Sequence, residues 1–170
     1  VGVERGYSGG SHSTTVQTVD PPGLSKVVAP FTATIGQIVV YTITVPSTPI
    51  TAALTNITVT DEIKVNLRVT ATSIVANPQL VDPVVIFSGQ QVTATFTRIE
   101  AGAQAQIVVT GVVSNTAINQ DGVVVTNTAR LYYTEGIGTV GTSRVLTSNQ
   151  VSTELVEPVL QIQKAATPNT

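Results

Sequence analysis

Apolar and polar residues alternate one by one along most of this chain. Val39, Tyr41, Ile43 and Val45 share one side of their stretch, with Thr42 and Thr44 on the other. Ile57 and Val59 alternate with Thr58 and Thr60, and Ile63, Val65 and Leu67 alternate with Glu62, Lys64, Asn66 and Arg68. Val92, Ala94 and Phe96 alternate with Thr93, Thr95 and Thr97, and Ile107 with Val109 and Val123 with Val125 follow. Successive side chains of a strand point to opposite faces, so period two marks strands with one buried face. The pattern predicts strands near 37–45, 55–61, 91–99, 104–114 and 122–134. Breakers separate them: Pro46-Ser47-Thr48-Pro49, Asn77-Pro78, Asp82-Pro83, and the turn dipeptides Ser88-Gly89 and Asp121-Gly122. No segment sustains a 3.6 period, and the nearest, Arg98 to Gln106, is weakened by Gly102. Two packed antiparallel sheets with no helix longer than two turns are expected.

Composition narrows this picture. Charged residues are 11% of the 170 residues, against roughly 25% in an average globular protein. Val, Ile and Thr, stiff at χ1 and suited to a pleated surface, take their place. The net charge is −2 and the 8 basic residues are scattered, so no basic stripe for nucleic acid is expected. No run approaches the ~18 apolar residues of a membrane span. The chain has no Cys, which excludes disulfides and thiolate metal sites. No signal peptide is present, which fits a processed chain or an internal fragment.

The ends resemble one another. Val16-Gln17-Thr18-Val19-Asp20-Pro21 runs through Leu24 and Lys26 to Pro30, and Val151-Ser152-Thr153 runs through Glu157-Pro158, Leu160 and Lys164 to Pro168. The ordered set reads as a tandem repeat. Residues 1–20 are then the tail of a preceding repeat or a donated strand, 21–157 one sandwich repeat, and 158–170 the start of the next. Partners are expected to be neighbouring repeats or identical subunits, engaged through terminal strands.

Enzyme signatures are missing, and no catalytic role on an external substrate, cofactor or metal is expected. His12 is the single histidine and lies in a Gly/Ser-rich stretch, so no Ser-His-Asp arrangement or histidine metal site can be built. Asn119-Gln120-Asp121-Gly122 lacks the full acidic spacing of a calcium loop and reads better as a turn. Asp82, Glu100 and Asp121 give no sign of converging as a glycosidase pair would require. Asn56-Ile57-Thr58 is a formal glycosylation sequon. Tyr132-Tyr133 is the one aromatic pair, placed on a strand rather than on a ligand-binding loop.

Three polar residues occupy positions whose phase calls for an apolar side chain. Lys26 lies between Leu24 and Val28, Asp61 follows Ile57 and Val59, and Asn127 sits between Val125 and Ala129. Burying a lone charge is costly, so the three are expected to meet in the core. Two readings remain open. In one, Lys26 and Asp61 form a buried ion pair and Asn127 satisfies the remaining hydrogen bonds. In the other, burial lowers the Lys26 pKa and raises that of Asp61. The neutral amine then attacks the Asn127 amide while protonated Asp61 shuttles protons, leaving a Lys26–Asn127 isopeptide bond.

Four stretches carry a family resemblance: Ile35-Gly36-Gln37-Ile38-Val39-Val40-Tyr41-Thr42-Ile43-Thr44-Val45; Leu54-Thr55-Asn56-Ile57-Thr58-Val59-Thr60-Asp61; Ala101-Gly102-Ala103 before Ile107; and Asn127-Thr128-Ala129. In this order, over residues 24 to 134, they resemble the conserved repeat domain of large prokaryotic surface proteins. That domain is similar to isopeptide-forming fimbrial and collagen-adhesin-type domains. The resemblance implies an immunoglobulin-like antiparallel β-sandwich, an extracellular location at the cell surface, and an order of Lys, acid and Asn that falls on Lys26, Asp61 and Asn127. One departure follows Asp61, where relatives turn at Pro-Gly-Leu and this chain continues as Glu62-Ile63-Lys64-Val65, expected as strand. The function expected is a structural module of a surface protein or filament. The alternative is an adhesin domain that binds a protein or glycan.

Overall fold

The computed structural model describes residues 21–135 and 142–157. Among the described residues there are thirteen strands: β1 (Ser25–Ala29), β2 (Thr32–Ala33), β3 (Ile38–Val45), β4 (Leu54–Glu62), β5 (Leu67–Ile74), β6 (Leu80–Val81), β7 (Val84–Ser88), β8 (Gln91–Ile99), β9 (Ala105–Val113), β10 (Val124–Asn127), β11 (Ala129–Glu135), β12 (Thr142–Thr147) and β13 (Val151–Leu155). The described residues contain no helix. The fold is an all-β, immunoglobulin-like antiparallel sandwich.

One sheet has the order β1-β3-β9-β5. The facing sheet runs β12-β11-β4-β8, with β6 and β7 in succession along the far side of β8. A small third sheet, β10-β13-β2, contains the one parallel pair among the described strands, β13 with β2. The alternation read from the sequence fills the space between the layers. Tyr41, Ile43, Val45, Ile107 and Val109 come from one sheet and Ile57, Val59, Phe96 and Leu131 from the other, all buried.

Three features depart from the pattern. The stretch 122–134 is two strands: β10 pairs with β13, and β11 pairs with β4 and β12. Asn127 and Ala129 are both buried while Thr128 is exposed, so the alternation runs unbroken through a change of partner. Glu62-Ile63-Lys64-Val65 does not continue as strand, because β4 ends at Glu62. Ile63 is buried but Val65 is 66% exposed. Gln90 holds this corner: its backbone C=O accepts from the Ile63 N–H at 2.9 Å, and its amide donates to the carbonyls of Lys64 (2.8 Å) and Leu67 (2.7 Å). The third feature is a bulge in β4 at Asn56, whose φ is 52°. It shifts the inward phase from Leu54 to Ile57 and delivers Asp61 to the core side.

Val151–Leu155, the first five residues of the repeat-like C-terminal stretch, form β13 of this sandwich. Residues 1–20 and 158–170, on which the repeat and donated-strand expectations fall, lie outside the described residues, as do His12 and Lys164.

Candidate functional site

The site begins with β1. Leu24, Lys26 and Val28 share its inward face, and Lys26 pairs across the sheet with Ile43 of β3. Asp61 enters from the facing sheet, near the end of β4, opposite Ala129 on β11 and Val92 on β8. Asn127 ends β10 in the third sheet, opposite Val151. Lys26 and Asp61 are each 1% exposed and Asn127 is 4% exposed. Three sheets thus bring a lysine, a carboxylate and an amide into one core.

Lys26 Nζ donates to Asp61 Oδ2. The ammonium also lies over the Tyr41 ring, 4.6 Å from its centroid, a cation–π arrangement that gains from exclusion of water. Burial lowers the Lys26 pKa, with the Asp61 charge and hydrogen bond opposing. Burial raises the Asp61 pKa, with Lys26 and the Asn127 amide opposing. Asn127 stands near enough to favour the carboxylate, yet Asn127 Nδ2 and Asp61 Oδ1 are buried without closing a hydrogen bond. Tyr41 Oη is also buried without a partner, and burial, with the Asp61 charge, pushes its pKa up to about 12. Each shift moves the Lys–Asp pair toward its neutral form, and the amide beside it is left under-satisfied. A neutral amine, a carboxylic acid and an amide carbon held out of water are the reactants for amide exchange.

Several supporting residues were not legible from the alternation. Asn149, between β12 and β13, clamps the backbone of Lys26. Its Oδ1 accepts from the Lys26 N–H at 2.9 Å and its Nδ2 donates to the Lys26 C=O at 2.8 Å. Next to it, Ser148 Oγ accepts from the Ala129 N–H at 2.9 Å, and the Ser148 N–H donates back to the Ala129 C=O at 2.9 Å. Ser148-Asn149-Gln150 looks in sequence like turn punctuation, and its only clue was a polar triplet between two short apolar runs.

The other candidates lie apart from this cluster. Lys64 is exposed. Asp82 accepts from Thr97 Oγ1, Glu100 pairs with Arg98, and Asp121 accepts from the Glu157 N–H. Among the described residues no group of three His, Cys, Asp or Glu is placed to hold a metal. Asn119 is buried, and its side chain pins Asn66 and the Ser114 C=O. Asn56 is exposed on its bulge. Tyr133 is buried and Tyr132 half-buried, so the pair forms no exposed aromatic cluster. A groove of about 590 Å³ opens beside Asn127, lined by polar side chains including Glu62, Lys64, Gln91, Arg130 and Tyr132.

No protein-family model matches the chain, and no curated protein sequence matches it. Solved structures do. The major pilin subunit BcpA of Bacillus cereus superposes with a TM-score of 0.62 at 17% identity, covering 81% of this chain and 41% of the pilin. The N-terminal domain of the Streptococcus gordonii adhesin Sgo0707 superposes at 0.56 and 22% identity, covering 81% of this chain and 33% of that one. ACE19, the collagen binding subdomain of the Enterococcus faecalis surface protein ACE, superposes at 0.51 and 15% identity, covering 79% of this chain and 98% of the subdomain. The chain therefore spans less than half the length of the pilin it matches. At these identities the likeness is one of fold: the chain has the immunoglobulin-like fold seen in pilin subunits and in adhesin domains of bacterial surface proteins.

Proposed function

We propose that this chain is a structural module of an extracellular surface protein or filament, stabilised by an intramolecular Lys26–Asn127 isopeptide bond. The observation that carries the reading is the buried Lys26–Asp61 pair with the Asn127 amide beside the same carboxylate. The fold likeness to pilins supports the structural role. A location at the cell surface follows from that role.

The reaction needs no outside reagent. Proton transfer from Lys26 Nζ to Asp61 gives an amine and a carboxylic acid. The amine attacks Asn127 Cγ, and Asp61 protonates the amide oxygen as the tetrahedral centre forms. Collapse breaks the Cγ–Nδ2 bond. The leaving nitrogen takes one proton from Nζ by way of Asp61, so one ammonia departs and an amide remains. The groove beside Asn127 gives the ammonia a route to solvent. The bond closes a loop from residue 26 to residue 127, and constraining a loop of that length in the unfolded chain contributes roughly 4 kcal/mol by analogy with disulfides.

Intact mass tests the proposal. The purified chain should weigh one ammonia less than its sequence, and Asp61→Ala should restore the full mass. A wild-type chain at full mass would leave Lys26–Asp61 as an ion pair only. The second reading, an adhesin domain, draws on the polar groove above Asn127. Saturable glycan or protein binding lost in Arg130→Ala and Tyr132→Ala would favour it.

A further inference from the structure

Strand β7 is an edge that the fold leaves unprotected. Among the described residues it pairs with β8 alone. Ser88 and Gln91 close a two-residue turn, so the backbone groups of Ser88, Ile86 and Val84 face β8, and those of Val85 and Phe87 face outward. Nothing among the described residues bonds to those outward groups. The side chains are exposed as well: Val84 51%, Ile86 61% and Phe87 42%.

Sheet edges are ordinarily blunted by charge, bulges or capping groups, because a bare apolar edge invites another strand. Three other outer strands, β1, β5 and β12, follow this rule. On β1, Asn149 occupies the outward N–H and C=O of Lys26. A bulge between Val69 and Ala71 interrupts β5, which also carries Arg68, and β12 carries Arg144. The stretch from Pro83 to Gln91 carries no charge at all, and β7 has neither bulge nor cap.

We infer that β7 is a self-pairing edge, which joins two copies of this chain into one continuous antiparallel sheet across a two-fold axis at Ile86. The sequence is self-complementary in that register. Val85 meets Phe87 of the second copy and Phe87 meets Val85 of the second copy, so the outward backbone groups of both strands are satisfied together. Ile86 then lies against Ile86 of the second copy on one face, flanked by Val84 opposite Ser88. Asp82 falls opposite Gln90, so no like charges oppose. A strand with charged positions gains no complement from this edge, whereas a second β7 sets Val85 against Phe87 and Ile86 against Ile86 with no charge at any position.

The chain lacks cysteine, which makes the register directly testable. In a non-hydrogen-bonded antiparallel pair the facing Cα atoms are about 4.5 Å apart, within the roughly 4.4–6.8 Å that a disulfide spans. Ile86→Cys should oxidise to a covalent dimer, and Val84→Cys, also exposed but opposite Ser88, should not. The uncross-linked chain should double its weight-average mass with rising concentration in sedimentation equilibrium. Ile86→Lys should remain monomeric with an unchanged melting temperature. A chain that stays monomeric, with Ile86→Cys no more prone to dimerise than Val84→Cys, overturns the inference. So does hydrogen-exchange protection of Val85 and Phe87 that is independent of concentration, because a terminal segment of the same chain would then cover the edge.

Discussion

At the scale of single residues, the chain carries its least comfortable groups in its centre. Removing one partner of a buried pair leaves an uncompensated charge, so in a chain that cannot cross-link, Lys26→Ala should cost roughly 3–5 kcal/mol. Replacing both partners separates the two readings of the site. As a mere ion pair, Lys26→Met with Asp61→Leu should leave stability unchanged or higher. With an isopeptide bond in the wild type, the same double variant should lose roughly the 4 kcal/mol of loop constraint. Chemical denaturation of the two chains decides. The pH dependence belongs here too, and Asn127→Ala exposes it by keeping the pair while forbidding the bond. The Asp61 pKa is raised from 3.8, so its contribution is present below 3.8 and lost as pH climbs through the folded value. The Lys26 pKa is lowered from 10.5, so its contribution is present above 10.5 and lost as pH falls through the folded value. Asn127→Ala should therefore be least stable at intermediate pH and recover toward both limits. Adding Lys26→Met and Asp61→Leu should remove the dip in melting temperature.

At the scale of elements, alternation located strands well and partners poorly. Strand β8 occupies the predicted 91–99 and β9 lies within 104–114, because each side chain there faces either core or solvent throughout. The phase argument also reached Lys26, Asp61 and Asn127, since an inward polar residue contradicts its own strand. It could not see that Thr128 marks a change of sheet, nor that β4 ends at Glu62, because side-chain phase says nothing about where backbone hydrogen bonds go. Those decisions rest on single amides. Gln90 holds the corner after β4, and Asn119 fastens the loop after β9 to Asn66 and Ser114. Asn119→Ala removes two hydrogen bonds donated to the Asn66 and Ser114 carbonyls and one accepted from Asn66 Nδ2, and should cost about 1–3 kcal/mol. A matched surface change, Asn115→Ala, at an exposed position, gives the baseline in the same unfolding assay. Asn149→Ala, which frees the Lys26 backbone, should slow ammonia loss after refolding more than it slows recovery of the β-sheet circular dichroism signal. Equal slowing of both would reduce Asn149 to a folding contact.

At the scale of the whole molecule, the described strands close a sandwich whose early and late segments lie side by side. Strand β2 runs parallel to β13. The Glu154 N–H bonds to the Phe31 C=O at 2.8 Å, the Val156 N–H to the Ala33 C=O at 3.0 Å, and Thr153 Oγ1 to the Pro30 C=O at 3.1 Å. This pairing was invisible in the sequence, because β2 has only two residues and a parallel partner more than a hundred positions away leaves no local period. Its geometry has a mechanical meaning. In a chain without the Lys26–Asn127 bond, tension applied before β1 and after β13 pulls these two parallel strands in opposite senses along their length, so the bonds between them are sheared together rather than unzipped in turn. In a chain with Lys26 joined to Asn127, the load crosses from one residue to the other and bypasses β2. The residues between them stay outside the load path, and at ~3.3–3.6 Å per residue they withhold roughly 350 Å of extension. Pulled in single-molecule force spectroscopy, the wild-type module should show a contour-length gain shorter by about that amount than Asp61→Ala, making the module a stop rather than a spring.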